Sequence, residues 1–157
     1  MRLMNKYSAE ITGIIFCLTF GILSGYLVNA GKSDWYFDLI KPSFNPPSWI
    51  FAPVWSILYI MMGIVLGKIL NLKGVLKKLL LPLFIIQFIL NLSWSPLFFY
   101  YHRIDLAFYD ICALWLTISS LIIVARNIKI ISSLFLPYFC WVSFALVLNL
   151  TILRLNS

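Results

Sequence analysis

The sequence predicts an all-α membrane protein: a bundle of five transmembrane helices with a long ordered loop between helices 1 and 2. Two observations carry this. Apolar residues make up 62% of the 157-residue chain and charged residues only 11%, against roughly half and about a quarter in a soluble domain. So few charges cannot coat a chain of this size in polar surface, and its outside must suit lipid. Five continuous apolar runs, at 9–28, 49–70, 79–100, 106–125 and 130–153, each have about the 20 residues needed to cross the hydrocarbon core. The runs do not alternate polar and apolar residues, so helices rather than barrel strands satisfy their backbone.

Taken in order, the first run follows a basic tail with Arg2 and Lys6 and carries Glu10 at its edge. Val28-Asn29-Ala30 has the form of a signal-peptidase site, which makes a cleaved signal peptide the rival reading. The length of the run and Glu10 favour a retained helix. The connection 29–47 contains Trp35, Tyr36, Lys41, Pro42, Pro46 and Pro47. Its prolines stiffen the backbone and its aromatics suit the headgroup level. Long ordered loops are often functional, so it is expected to cover one mouth of the bundle. Pro53 falls in the first turns of the second run, and Pro82, Pro96 and Pro137 fall near run ends, where they mark helix starts and mild kinks. Gly21-Ile-Leu-Ser-Gly25 and Gly63-Ile-Val-Leu-Gly67 have the spacing that lets helices approach closely, within one chain or between two. No repeat is visible, and 1–157 reads as one domain.

Charge in the connections sets the orientation. Arg2, Lys6, Lys68, Lys73, Lys77, Lys78, Arg126 and Lys129 fall on one side of the membrane. Lys32, Lys41, Arg103 and Arg154 fall on the other. The positive-inside rule then puts the amino terminus inside and the carboxyl terminus outside, as an odd number of crossings requires.

The net charge of +7 is absorbed by this pattern. No basic stripe interleaves with exposed aromatics, so nucleic acid is not expected as a partner. Cys17, Cys112 and Cys140 lie apart inside apolar runs and read as small buried apolar residues, not as a disulfide framework or zinc site. His102, the one histidine, reads as a solvated loop residue. The acids Glu10, Asp34, Asp38, Asp105 and Asp110 form no evident acid–base pair. No metal site, phosphate loop or nucleophile elbow is present, and no catalytic residue is assigned.

Polar groups inside the runs are the stronger lead, because they are costly in lipid and face the bundle interior. Asn91 and Trp94 share a helical face in the third run, as do Trp55, Tyr59 and Met62 in the second. Trp141, Ala145 and Asn149 follow at steps of four in the fifth, and Asp110 is an acid within the fourth. These residues either wall a pocket for a flat, largely apolar ligand or act as hydrogen-bonding glue between helices. Composition and spacing leave both open.

Three stretches resemble a known family. WYFDLIKPSFNPPSWIFAPVWSILY at 35–59 closely resembles the signature of the translocator protein family, which includes the tryptophan-rich sensory protein TspO and the peripheral benzodiazepine receptor. QFILNLSWSPLFF at 87–99 resembles the family's third helix, and LPYFCWVSFALVLN at 136–149 its fifth. The resemblance implies that the first run is kept as a helix. It also implies a five-helix bundle, often a homodimer, whose long first loop folds over the ligand mouth.

The ligands implied are porphyrins such as protoporphyrin IX and haem, synthetic isoquinoline carboxamides and benzodiazepines, and in some members cholesterol. No cofactor is required. Carried over residue by residue, the implied pocket comprises Tyr36, Pro46, Trp49, Trp55, Tyr59, Asn91, Trp94, Trp141, Ala145 and Asn149, with Asp110 from the less marked fourth helix. The function implied is a membrane receptor, sensor or carrier for porphyrins. The alternatives are a light-dependent porphyrin-degrading enzyme or a transporter. LNLTILRLN at 148–156 lacks the tyrosine of the vertebrate cholesterol motif, a departure that argues against sterol binding there and fits a bacterial cell membrane.

Overall fold

A computed structural model describes residues 7–31 and 34–157; Arg2, Lys6 and Lys32 lie outside them. The chain forms α1 (Ser8–Gly31), a short α2 (Asp34–Asp38), a 3-10 turn (Ser48–Ile50) that leads into α3 (Phe51–Asn71), α4 (Gly74–Ser95), α5 (Ile104–Val124) and α6 (Lys129–Leu155). Among the described residues, five helices are long and apolar enough to cross a membrane. The first connection is partly helical: α1 continues to Gly31, α2 follows, and the irregular stretch is 39–47.

Around the bundle the order is α1, α3, α6, α5, α4, with α4 returning to α1. In lipid, helices gain little from burying apolar surface against one another, so association rests on close packing and interhelical hydrogen bonds. Both are present. Gly13, Gly63 and Gly67 bring α1 and α3 into backbone contact, where a Cβ on any of them would overlap the facing chain. Lys68 meets Glu10 at 3.7 Å across the same pair. The Gly63–Gly67 spacing therefore serves packing within the chain.

The helix ends differ from the sequence expectation. α4 begins at Gly74, not near 79, because Lys77 and Lys78 carry long stems that reach the headgroups from inside a helix. Lys77 Nζ donates to the Leu70 carbonyl at 2.6 Å, satisfying the exposed end of α3. Pro82 and Pro137 accordingly lie inside α4 and α6. Of the cysteines only Cys17 is buried; Cys112 is half-buried and Cys140 exposed. In a membrane helix an outward face meets acyl chains, where a thiol behaves as a small apolar group.

Pro96 has no N–H to continue the α4 ladder, and 96–100 widens into a π-helical turn closed by Tyr101 N–H donating to the Pro96 carbonyl at 3.0 Å. The wider turn lets consecutive side chains point inward, and Phe98 and Phe99 are both buried.

Candidate functional site

Toward the end of the bundle covered by α2, the five spanning helices enclose a cavity of about 370 Å³, within the roughly 300–1,000 Å³ typical of small-molecule sites. Trp55 and Tyr59 reach it from α3, Asn91 and Trp94 from α4, and Trp141, Ala145 and Asn149 from α6. Tyr36 lines it from α2, and Ile111 and Leu114 from α5.

Its polar groups are fixed. Tyr59 Oη donates to Asn91 Oδ1 at 2.7 Å, and Asn91 Nδ2 donates to Tyr138 Oη at 2.9 Å, so one buried amide joins α3, α4 and α6. An amide has two N–H donors, and the Tyr138 bond uses one of Asn91's. Trp94 Nε1 donates to the Asn149 side-chain oxygen at 3.2 Å, while the Asn149 amide nitrogen donates to the Ile104 carbonyl at 3.3 Å. That assignment satisfies both ends of the amide. Trp94 also stacks on Phe98 with centroids 5.1 Å apart, which holds the indole plane. Trp55 packs on Tyr59 at 5.7 Å, and Trp141 lies edge-on to Phe51 at 5.9 Å. The walls are thus rigid aromatic faces with an amide among them, an arrangement that grips flat apolar molecules. Among the described residues no group of three His, Cys, Asp or Glu side chains is placed to hold a metal ion.

The cover is tied down at several points. The Ile40 N–H donates to Asn156 Oδ1 and the Ile40 carbonyl accepts from Asn156 Nδ2, both at 2.9 Å, joining the first connection to the end of α6. Lys41 Nζ donates to the Leu39 carbonyl at 3.2 Å and lies 4.5 Å from the Tyr36 ring centre. Burial raises the pKa of the Tyr36 phenol, keeping it a neutral donor at the mouth. Trp35 stacks on His102, with centroids 4.1 Å apart and planes 18° from parallel. His102 sits at φ +54°, a left-handed conformation uncommon for a side chain other than glycine. The sequence suggested a solvated loop histidine; it is exposed, and it is also a clasp between two connections.

Comparison with known proteins agrees with this architecture. The sequence profile of the TspO/MBR family matches residues 13–155. The chain belongs to the TspO/MBR family. It is 44% identical over 158 residues to the tryptophan-rich protein TspO of Chlorobaculum tepidum, covering 98% of this chain and 99% of that one. It is 31% identical over 124 residues to the tryptophan-rich sensory protein of Cereibacter sphaeroides, covering 78% and 77%. It is 33% identical over 135 residues to the translocator protein of Ovis aries, covering 82% and 79%. With its five apolar helices, this TspO/MBR protein is an integral membrane protein.

Against this TspO/MBR fold the sequence-selected residues divide. Tyr36, Trp55, Tyr59, Asn91, Trp94, Trp141, Ala145 and Asn149 are brought together on the cavity; Pro46, Trp49 and Asp110 are not among its walls. Trp49 sits in the 3-10 turn and is 71% exposed, where its indole suits the membrane interface. Pro46 is half-buried in the connection. Asp110 faces α4, its Oδ1 accepting from Ser93 Oγ at 2.8 Å. Sequence reasoning missed Phe98 and Phe99, which line the cavity beside Tyr36. Pro96 was the available signal, since a proline late in a helix marks where the ladder must change.

Proposed function

We propose that this membrane protein is a receptor or sensor that holds a porphyrin, protoporphyrin IX or haem, or a similar flat apolar ligand in the cavity between its helices. The observation that carries this is the convergence of three indoles, Trp55, Trp94 and Trp141, from three different helices on one cavity beside the Asn91 amide. Indoles facing lipid would serve as interface anchors; indoles facing a cavity serve a ligand. The sensory reading draws on the relative that carries that word in its name. In this reading the amino terminus is inside, supported by Lys68, Lys73, Lys77, Lys78, Arg126 and Lys129 in the connections at the end opposite the cavity.

The test is quenching of tryptophan fluorescence by protoporphyrin IX in the detergent-solubilised protein. Trp55→Ala and Trp141→Ala each remove an aromatic face worth roughly 1–2 kcal/mol and should weaken binding by about ten-fold. Unchanged affinity in both variants refutes this site.

A further inference from the structure

The two helices that seal the bundle at one end part at the other. Near Glu10 and Lys68, α1 and α3 touch through Gly13, Gly63 and Gly67 with no room for a side chain. Two turns further along α1, Gly21 packs against the Tyr59 ring. One more turn on, a Cβ at Gly25 would meet nothing within 4 Å. The helices therefore diverge beside the cavity.

The cavity residues of this pair fall into two groups. Tyr59 and Ser24 are buried and Trp55 half-buried, whereas Ile22, Gly25, Ala52 and Ser56 are exposed although they also line the cavity. A residue that both lines a cavity and is exposed marks its rim. These four, and Ser48 in the turn before α3, which is exposed and lines the cavity too, lie within the membrane-spanning stretches Ser8–Tyr26 and Ser48–Asn71, so the rim runs from the membrane interface at Ser48 toward hydrocarbon at Ile22 and Ser56. Its chemistry suits that medium. Deeper in the span its polar side chain, Ser56 Oγ, donates to the Ala52 carbonyl of its own helix at 2.8 Å and needs no water. The aqueous end, by contrast, carries Tyr36, on a connection held by the Asn156–Ile40 bonds and the Trp35–His102 stack.

We infer that the gap between α1 and α3 at Gly25 and Ser56 is a lateral portal, through which an apolar ligand already dissolved in the bilayer passes into the cavity without crossing the covered end. This rests on the cavity being the ligand site. A ligand arriving this way never leaves the hydrocarbon, so the route selects for molecules that partition into lipid before binding.

The experiment uses the full chain in lipid nanodiscs loaded with protoporphyrin IX and follows tryptophan quenching by stopped flow. Gly25→Leu and Ser56→Leu each narrow the gap from one side. The two sit on different helices, so loss of one variant to misfolding leaves the other. A portal residue should slow association and dissociation together by about ten-fold, so that Kd moves less than either rate, whereas an ordinary contact residue changes mainly dissociation. Trp35→Ala, which loosens the cover, should leave the association rate unchanged. An unaltered association rate in both leucine variants, or a faster one in Trp35→Ala, overturns the portal while the cavity reading stands. Absence of quenching in the unmodified protein removes the cavity reading and the portal with it.

Discussion

Replacing Gly63 with alanine adds a single methyl group, and the structure sets the consequence. The new Cβ would lie 2.5 Å from the Ile14 backbone nitrogen and 2.7 Å from the Gly13 carbonyl carbon. Ordinary contact needs about 3.5–4.0 Å, so α1 and α3 must separate by about 1 Å. No flexible side chain can yield, because the opposing atoms are backbone. Overpacking of this kind costs roughly 1–3 kcal/mol, which for a chain of this length corresponds to a fall in Tm of about 3–10 °C. Gly25→Ala is the internal control. It lies on α1 in open space, and alanine is favoured over glycine in a helix by about 0.8–1.0 kcal/mol, so its Tm should hold or rise. The assay is thermal unfolding in detergent, with both variants measured beside the parent. Equal Tm values for Gly63→Ala and the parent would refute the claim that glycine contact holds α1 to α3.

Asn91→Leu strands the Tyr59 and Tyr138 hydroxyls in the core and should cost about 1–3 kcal/mol each way the network is broken, read as a lower Tm together with loss of protoporphyrin IX quenching. Asp110→Asn keeps an oxygen for Ser93 and lies outside the cavity walls, so the protein should bind with unchanged affinity; a ten-fold loss would place that residue in the site after all. His102→Gly relieves the left-handed backbone but removes the stack on Trp35. Hydrogen exchange should quicken in α2 while global Tm changes little. Arg103→Ala breaks an exposed pair with Asp105 at 2.6 Å and should leave thermal stability unaltered, since solvent screens such pairs.

The crossings were legible because hydropathy is a local property: a run of about 20 apolar residues has no other stable home. Helical faces were legible for the same reason. Periodicity alone grouped Trp55 and Tyr59 with Met62, Asn91 with Trp94, and Trp141 with Ala145 and Asn149, and all but Met62, which is buried in the core, line the cavity. Asp110 shows where the method stops. Its neighbour Ile111 lines the cavity and Asp110 does not, because one residue is about 100° of rotation around a helix. Periodicity says which residues share a face, not which partner that face meets. Pro46 and Trp49 lie where no helical period applies, and only the path of the connection placed them off the walls.

The amino-acid sequence by itself determined the solvent this chain lives in, the number of its crossings, and the sets of residues that travel together on each helix, because composition and period act over a few turns of chain. The tertiary structure alone decided that those sets converge on one cavity, that Pro96 turns Phe98 and Phe99 into it, and that α1 and α3 meet at Gly13, Gly63 and Gly67 but part at Gly25. Those outcomes depend on how far apart two helices lie at a given depth, a distance set jointly by side chains remote from one another in the chain.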